Sequence, residues 1–426
     1  MSEIFESVRL GSLTLPHRVG RAATWLGLAS PEGLVTPEMT EVLVALAQGG
    51  AGLIITGHAY VHPAGRHSPA QLGVDDDDKI PGLTGLARAV RAAGGFPALQ
   101  LGFGGHYLSA ARVAALTPDD LAGLARAFGR AAARAQAAGF VAVEILAAHG
   151  FLLSQLLCPR YNPRGDAYGG DLASRARALR EVLAQVRGAV GPEFPILVKL
   201  NVADFVPEGL VLEESLQVGE WLAAEGADAL ELSGGLLNAV GRWNRPPATP
   251  AEEAWFQKEA RAFRARLALP LILGGGIRSW EVASALVGAD GLDLVALCRP
   301  FIREPGLVAR WRAGDHAAAA CQGCANCFEE IKAGRGPVCV PPRREPPAFF
   351  PQDSRTVPAG PALPPGTAYR VTLGLEEWEG AFLPMLRVEM LVPGEDQPRL
   401  PSFPPGDDAP RRLKAAAAQL WEQYAG

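Results

Sequence analysis

The sequence of 426 residues contains no apolar run of the 18 or so residues that a membrane span needs. Its first residues, MSEIFESVRLGSLTL, also lack the basic start and apolar core of a signal peptide. The formal net charge of −5 is not the basic excess that general nucleic-acid binders and membrane-surface binders carry. We therefore expect a soluble cytoplasmic protein with neither nucleic acid nor membrane as a partner.

Cysteine is scarce, with six residues in the whole chain, and four of the six fall between positions 321 and 339. So few cysteines in a chain of this length do not make a disulfide scaffold. In a reducing compartment, such clustering indicates metal or redox chemistry. Cys158 stands apart in an LLCP turn, and we expect it to be a core residue.

Short apolar runs of four to six residues alternate with Ala- and Arg-rich helical stretches as far as about residue 312. Because these runs are almost continuously hydrophobic, they suit parallel strands that are buried on both faces. Eight βα units over about 300 residues predict an α/β fold, a (β/α)8 TIM barrel, with a doubly wound open sheet as the alternative. The predicted strands are Val19–Ala23, Gly52–Thr56, Pro97–Leu101, Val141–Ile145, Ile196–Leu200, Ala229–Leu232, Leu271–Gly274 and Leu294–Leu297.

The pattern changes after the barrel. The predicted domains are a barrel over 1–315, a four-cysteine segment over 316–342, a Pro-rich linker over 343–366 and a small α+β module over 367–426. The linker contains too much proline for regular structure. In the module, Tyr369–Gly374 and Met385–Leu391 alternate like a β-pair, and Ala409–Tyr424 has the pattern of an amphipathic helix.

Glycines and an arginine follow the last two predicted strands, at the ends where the active sites of such barrels lie. Gly275 and Gly276 follow the seventh strand, and Arg299 follows the eighth. Glycine lets backbone N–H groups approach a phosphate, and an adjacent Arg supplies charge-assisted hydrogen bonds. We predict a phosphate site here, although a tight turn with a surface Arg has the same pattern.

Two polar residues interrupt apolar strands. Gln100 lies near the end of the third predicted strand and Lys199 near the end of the fifth. A polar group in such a run must have a partner. One interpretation is that Gln100 bonds the edge of a pyrimidine-like ring and Lys199 stabilises an anionic reduced flavin. The other is a layer of polar residues inside the barrel that are bonded to one another.

The segment 139–177, GFVAVEILAAHGFLLSQLLCPRYNPRGDAYGGDLASRAR, resembles the signature region of the Old Yellow Enzyme family (NADH:flavin oxidoreductases). IFESVRLGSLTLPHRV at the start and LILGGGIRSWEV near the seventh strand resemble that family in order and position, and the likeness extends over 3–340. It implies an FMN-dependent NAD(P)H:acceptor oxidoreductase that transfers hydride from reduced flavin to an activated alkene or similar electrophile.

The resemblance also implies site residues. Those at the FMN would be Ala23, Thr24, Gly57, Gln100, Lys199, Gly275, Gly276, Cys298 and Arg299, with Cys298 in place of a more usual Gly. His149 would bind the acceptor and help catalysis. A non-redox phosphate-binding barrel would explain Gly275, Gly276 and Arg299, but not Thr24, Gln100 or the cysteines.

Several positions depart from the family pattern. Leu146 replaces the first donor of the pair that holds the acceptor's carbonyl oxygen, and Phe151 replaces the Tyr that protonates the substrate. Loss of a positioned general acid costs about 10²–10⁴ in rate. His149, His106 and Tyr107 are the nearby groups that could act instead. A flavin-binding electron-transfer or assembly protein without enone reductase activity is therefore the alternative function.

The clustered cysteines form a C-x₂-C-x₂-C-x₁₁-C pattern made of Cys321, Cys324, Cys327 and Cys339. Three close thiolates and a distant fourth favour a [4Fe–4S] cluster, with zinc or unligated thiols as alternatives. The pattern also resembles the segment after the barrel in the 2,4-dienoyl-CoA reductase branch, where a further nucleotide-binding domain supplies electrons. This sequence shows no GxGxxG for such a domain. We expect electrons from NAD(P)H or from a separate carrier protein, and a homo-oligomer is possible.

Overall fold

Eight parallel strands form a closed barrel in the computed structural model, which describes residues 3–104, 110–236, 249–341, 349–358, 363, 365–378, 381–393 and 408–425. The chain divides into two compact units, 1–341 and 342–426. A short antiparallel hairpin of β1 (Val8–Leu10) and β2 (Leu13–Leu15) precedes the barrel. The following strands are β3 (Val19–Arg21), β4 (Leu53–Ile55), β5 (Ala59–Tyr60), β6 (Phe96–Gly102), β7 (Ala142–Ala147), β8 (Ile196–Asn201), β9 (Ala229–Ser233), β10 (Leu271–Gly274) and β11 (Leu294–Leu297).

The strand order is β4-β3-β11-β10-β9-β8-β7-β6-β5, and an additional pairing of β4 with β6 closes the ring. The short strand β5 continues the line of β4 along β6, so eight strands make the barrel wall. The predicted (β/α)8 fold is confirmed, and each of the eight predicted strands overlaps a barrel strand. The sequence patterns did not predict the hairpin β1–β2 or the two-residue strand β5.

The helices of the first unit surround this barrel. They are α1 (Pro37–Gln48), α2 (Ile80–Ala92), α3 (Ala110–Ala115), α4 (Pro118–Ala137), α5 (Leu152–Leu157), α6 (Leu172–Val190), α7 (Leu212–Ala224), α8 (Gln257–Arg266), α9 (Trp280–Gly288), α10 (Arg299–Arg303), α11 (Leu307–Arg312) and α12 (Asn326–Lys332). Helix α4 begins sharply because Thr117 and Asp120 form a capping box and Pro118 occupies the first turn. No helix in the described ranges is long and apolar enough to cross a bilayer.

Side chains of the barrel strands alternate between two hydrophobic cores, one inside the barrel and one between the barrel and the helices. Leu53 and Leu197 belong to the core inside the barrel, whereas their neighbours Ile54 and Val198 pack outward against the helices. Side chains of a strand point to opposite faces in turn, so positions two apart share a face. This period of two decides which polar residues of the strands point into the barrel.

The second unit is a three-stranded antiparallel sheet with one helix. Its strands are β12 (Phe349–Pro358), β13 (Ala368–Trp378) and β14 (Ala381–Leu391), and the helix is α13 (Ala409–Ala425). The prediction of an irregular linker over 343–366 was therefore wrong, because β12 lies within it. Proline is tolerated there because β12 is an edge strand, and its register shifts between Pro351 and Asp353.

Candidate active site at the rim of the barrel

All eight barrel strands run in the same direction, so their carboxyl ends form one rim. Every residue that the sequence predicts for the flavin site lies in the carboxyl-terminal half of a barrel strand or follows one. Ala23 and Thr24 follow β3, Gly57 follows β4, Gln100 lies in β6, Lys199 lies in β8, Gly275 and Gly276 follow β10, and Cys298 and Arg299 follow β11. His149 follows β7. The fold therefore brings these positions to one end of the molecule.

Inside the barrel, four polar side chains form a layer just below the rim. Gln100 donates from Nε2 to Oε2 of Glu144 at 2.5 Å, and Lys199 donates from Nζ to Oε1 of Glu231 at 2.6 Å. All four residues are at most 5% exposed. They lie two positions beyond residues of the inner core, so the strand alternation points them inward.

Gln100 and Lys199 thus bond to other polar residues of the barrel, which was one of the two interpretations of the sequence. Their partners Glu144 and Glu231 were missed, although each also stands as a lone polar residue in an apolar strand. The same rule that a buried polar group needs a partner would have found them. Bonding within the layer leaves a cofactor role for Gln100 and Lys199 as a prediction.

Burial and neighbouring charges shift the pKa values of Glu144 and Lys199 in this layer. Burial, and then repulsion by Glu231, raises the pKa of Glu144 well above its ordinary value. Burial alone would lower the pKa of Lys199, but the Glu231 and Glu144 carboxylates outweigh it and raise that pKa. The layer therefore holds a Lys199–Glu231 ion pair beside Glu144, whose carboxyl binds its proton more tightly than an ordinary Glu does.

A further buried cation lies in the barrel wall at this end. Arg21 is 2% exposed, and its guanidinium donates to the backbone oxygens of Ile55 and Thr24. Burial lowers its pKa to about 10, and a thiolate at Cys298 would oppose that shift. Among the described residues, Arg21 has no carboxylate partner. This end of the barrel thus carries surplus positive charge.

The first and last barrel strands meet through side chains at the rim. Oγ1 of Thr24 lies 3.0 Å from Sγ of Cys298 and also donates to the backbone oxygen of Ala22. Gly57 lies close beneath, since a Cβ there would stand 2.7 Å from the Thr24 carbonyl oxygen. Only glycine allows this approach between the ends of β3 and β4.

His149 adopts a left-handed backbone with φ of 62° immediately after β7. Its Nε2 lies 2.7 Å from Oγ of Ser233 at the end of β9, and its backbone N–H donates to Oδ1 of Asn201. Burial and then the charge of Lys199 lower its pKa to about 3. His149 is therefore a neutral imidazole that is held at the rim by neighbouring strands.

Aromatic rings line the rim beside His149. The ring centroids of His58 and Phe151 are 4.9 Å apart, and His67 lies 5.1 Å from His58. Trp25 contacts His67 on one side, and Phe328 from the cysteine segment lies 6.2 Å from Trp25. Nε1 of Trp25 and Nε2 of His58 are buried polar atoms that have no hydrogen-bond partner within the described residues.

At the predicted phosphate site, Gly275 and Gly276 have φ of 119° and 73°, which L side chains rarely adopt. A Cβ at Gly276 would stand 2.5 Å from the Trp255 ring. The Arg299 guanidinium lies 5.6 Å from the centroid of the same ring and donates to the backbone oxygen of Gly323 at 2.6 Å. Arg299 therefore joins the end of β11 to the cysteine segment.

The four cysteines of that segment are free, and Cys327 in α12 is the buried one of the four. Burial, followed by the thiolates of Cys298 and Cys321, raises the pKa of Cys327 to about 11. Cys324 and Cys339 act on the pKa of Cys321 in the same direction. In the described part of the chain, no three His, Cys, Asp or Glu side chains are arranged to hold a single metal ion.

Other sequence predictions have different outcomes. Cys158 is fully buried, as expected of a core residue. Leu146 and Phe151 are buried together in a small apolar cluster beside the rim. His106 and Tyr107 lie outside the described residues.

Comparison with known proteins adds the family. The model of the NADH:flavin oxidoreductase / NADH oxidase family matches residues 3–115 and 109–317. A 4,4'-dithiodibutanoate disulfide reductase of Rhodococcus erythropolis is 34% identical over 379 residues, which cover 78% of this chain and 93% of that protein. A metal reductase of Desulforamulus reducens is 31% identical over 78% of this chain and 52% of its own length.

Solved structures agree on the fold. Morphinone reductase has a TM-score of 0.61 and 27% identity, over 75% of this chain and 91% of that one. A 2-naphthoyl-CoA reductase has a TM-score of 0.72 at 23% identity, over 79% of this chain and 56% of that one. This chain thus spans about half the length of the metal reductase and of the naphthoyl-CoA reductase.

The closed parallel barrel, together with the match to the family model over residues 3–115 and 109–317, identifies a flavin-dependent oxidoreductase. The chain belongs to the NADH:flavin oxidoreductase / NADH oxidase family, and it is an FMN-dependent NAD(P)H oxidoreductase of the Old Yellow Enzyme type.

Proposed function

We propose that the enzyme holds FMN across the rim and reduces an activated alkene or a similar small electrophile. The observation that carries this proposal is that two groups of residues meet at one rim of the barrel. The first is the glycines and the arginine that follow β10 and β11, and the second is the polar residues near the ends of β6 and β8. When bound, FMN supplies a two-electron carrier that accepts hydride from NAD(P)H and passes it to the acceptor. The remaining steps fall to side chains of this chain.

Gly275, Gly276, Cys298 and Arg299 suit the phosphate of FMN. Glycines with positive φ expose backbone N–H groups, and a guanidinium beside them adds charge-assisted hydrogen bonds. Arg299 is partly exposed and stacked on Trp255, so its position is fixed before a phosphate binds. Loss of this pre-ordering would weaken FMN binding more than catalysis.

Ala23, Thr24, Gly57, Gln100 and Lys199 suit the ring of FMN. The unpartnered Nε1 of Trp25, four residues after β3, supports a polar ligand at this end of the barrel. The charge of Arg21, which has no carboxylate partner among the described residues, favours a ligand that becomes anionic when reduced. These observations support a flavin ring at this end of the barrel.

His149 is the group that we assign to the acceptor. It is neutral, and its contact with Ser233 orients the ring at the rim. A neutral imidazole can donate a hydrogen bond to an oxygen on which negative charge develops, and it need not lose a proton. His149 thereby polarises the acceptor while hydride arrives.

We also propose a [4Fe–4S] cluster on Cys321, Cys324, Cys327 and Cys339. A single zinc ion would need four sulfurs converging at about 2.3 Å from one point. Structural zinc sites more usually use two CxxC pairs, whereas the three closely spaced thiols and the distant fourth suit a cubane, which binds its thiolates at separate corners. Electrons would then come from NAD(P)H, or from a carrier protein that docks beside the cysteines.

A disulfide is the second candidate acceptor. The 34% identical relative is named for the reduction of 4,4'-dithiodibutanoate, and the likeness covers 93% of its length. Leu146 and Phe151 also remove two groups that serve carbonyl substrates in the family. Two electrons cleave an S–S bond to a thiolate and a thiol, so that acceptor requires no carbon protonation.

The test uses protein purified without oxygen. We would record its absorption spectrum, assay iron and acid-labile sulfide, and follow NAD(P)H oxidation with cyclohexenone and with 4,4'-dithiodibutanoate. Flavin bands with iron and acceptor-dependent oxidation support the proposal, and the faster acceptor identifies the substrate class. Flavin without turnover of either acceptor would favour the electron-transfer alternative. A protein that cannot be reconstituted with FMN would overturn the proposal.

A further inference from the structure

On the basis of the function proposed above, we propose that His58 is a second acceptor-binding residue, whose Nε2–H donates a hydrogen bond to the atom on which negative charge develops. That atom would be the carbonyl oxygen of an enone or the departing sulfur of a disulfide. His58 therefore extends the site beyond His149.

The position of His58 places it at the rim. It follows β4 by three residues and comes directly after Gly57. The residue is 7% exposed, and its Nε2 is buried with no hydrogen-bond partner in the described ranges. A buried polar atom without a partner costs about 1–3 kcal/mol. Such an atom calls for a partner outside the protein, such as a ligand or an ordered water molecule.

The neighbours of His58 are the two side chains that depart from the family pattern. Its ring lies 4.9 Å from the Phe151 ring, at 64° between the planes. Leu146 lies on the same side, next to Gly102. A Cβ placed on Gly102 would be 3.4 Å from the Cβ of His58 and 3.4 Å from the Cδ2 of Leu146. Leu146 and Phe151 are apolar where the family has polar groups. The His58 imidazole packs against these two side chains and supplies a polar group there.

The charge state of His58 suits a donor that does not give up its proton. Burial and then His67 lower its pKa to about 3, so the imidazole is neutral near pH 7. In alkene reduction, hydride from the reduced flavin forms one C–H bond and a proton from water forms the other. The flavin is oxidised and the alkene is reduced by two electrons. His58 stabilises the developing charge and stays neutral throughout.

The experiment compares the two halves of turnover in FMN-loaded enzyme. His58→Phe removes the donor, and His58→Asn keeps an N–H group on a smaller side chain. His316→Phe is the control, because it replaces an exposed imidazole that stacks on Trp280. Stopped-flow absorbance measures flavin reduction by NAD(P)H and then flavin reoxidation by cyclohexenone or 4,4'-dithiodibutanoate.

We expect His58→Phe to slow reoxidation by about 10²–10³, the usual effect of removing one such donor, while flavin reduction keeps its rate. His58→Asn should recover part of the loss. Reoxidation at the wild-type rate, or equal losses in both halves, would overturn the role of His58. If His58→Phe fails to retain FMN, His58→Met takes its place with the same expectation. Failure of the wild-type protein to bind FMN would instead overturn the proposed function.

Discussion

The buried ion pair of Lys199 and Glu231 yields a quantitative prediction. Its atoms are 2.6 Å apart, and the side chains are 6% and 0% exposed. Lys199→Met would leave the Glu231 carboxylate buried without its cation. Breaking a buried pair by removing one partner typically destabilises a protein by about 3–5 kcal/mol. We expect a loss of that size in the free energy of unfolding of the barrel near pH 8.

The loss should depend on pH with a definite sign. Lys199 lowers the pKa of Glu144, so its removal raises that pKa further above the ordinary value. A carboxyl with a raised pKa in the folded state contributes stability that is complete at low pH and is lost as pH rises. The free energy of unfolding of the variant should therefore be closer to that of the wild type near pH 5 than near pH 8.

Guanidinium unfolding, followed by Trp fluorescence at both pH values, measures this difference in free energy. The matched control is the double variant Lys199→Met, Glu231→Met, which should recover much of the loss because no charge is left unpaired. A loss below about 1 kcal/mol, typical of an exposed pair, would refute the reasoning. An equal loss at both pH values would refute the coupling to Glu144.

Three further predictions concern other parts of the site. Gly276→Ala should weaken FMN binding and lower the free energy of unfolding by about 1–3 kcal/mol. The new Cβ would contact the Trp255 ring, and the residue would keep a positive φ. FMN titration measures the first effect and thermal unfolding the second. Glu144→Gln should flatten the fall in stability as pH rises, since it removes a carboxyl with a raised pKa; unfolding at several pH values tests this. Cys327→Ser should lower the iron content, whereas Cys158→Ser should retain it; equal iron in both variants would contradict the cluster.

The barrel could be predicted from the sequence because its strands are buried on both faces and therefore read as short apolar runs. The strand ends then indicated the site, since the fold brings them to one rim. The hairpin β1–β2 was not predicted because its strands are three residues long, too short for a periodic signal. The strand β12 was not predicted because proline argues against a strand inside a sheet, although not at a sheet edge, where β12 lies.

The candidate site could be predicted only where chemistry and local pattern coincide. Gln100 and Lys199 were recognised as buried polar residues, but pairing with Glu144 and Glu231 depends on the register between neighbouring strands. The position of His58 against Phe151 is also a contact between distant parts of the chain. Sequence periodicity contains no information about such contacts.

The hydrogen bond from Arg299 to Gly323 has a consequence for how the enzyme is assembled. Gly323 lies between Cys321 and Cys324, and its own N–H donates to Sγ of Cys321. Where one binding event changes the affinity for another, the second changes the affinity for the first by the same factor. With the proposed cluster on the cysteines and the proposed FMN phosphate at Arg299, this contact would link iron incorporation to flavin retention, and cells starved of iron would accumulate enzyme that releases its FMN more readily.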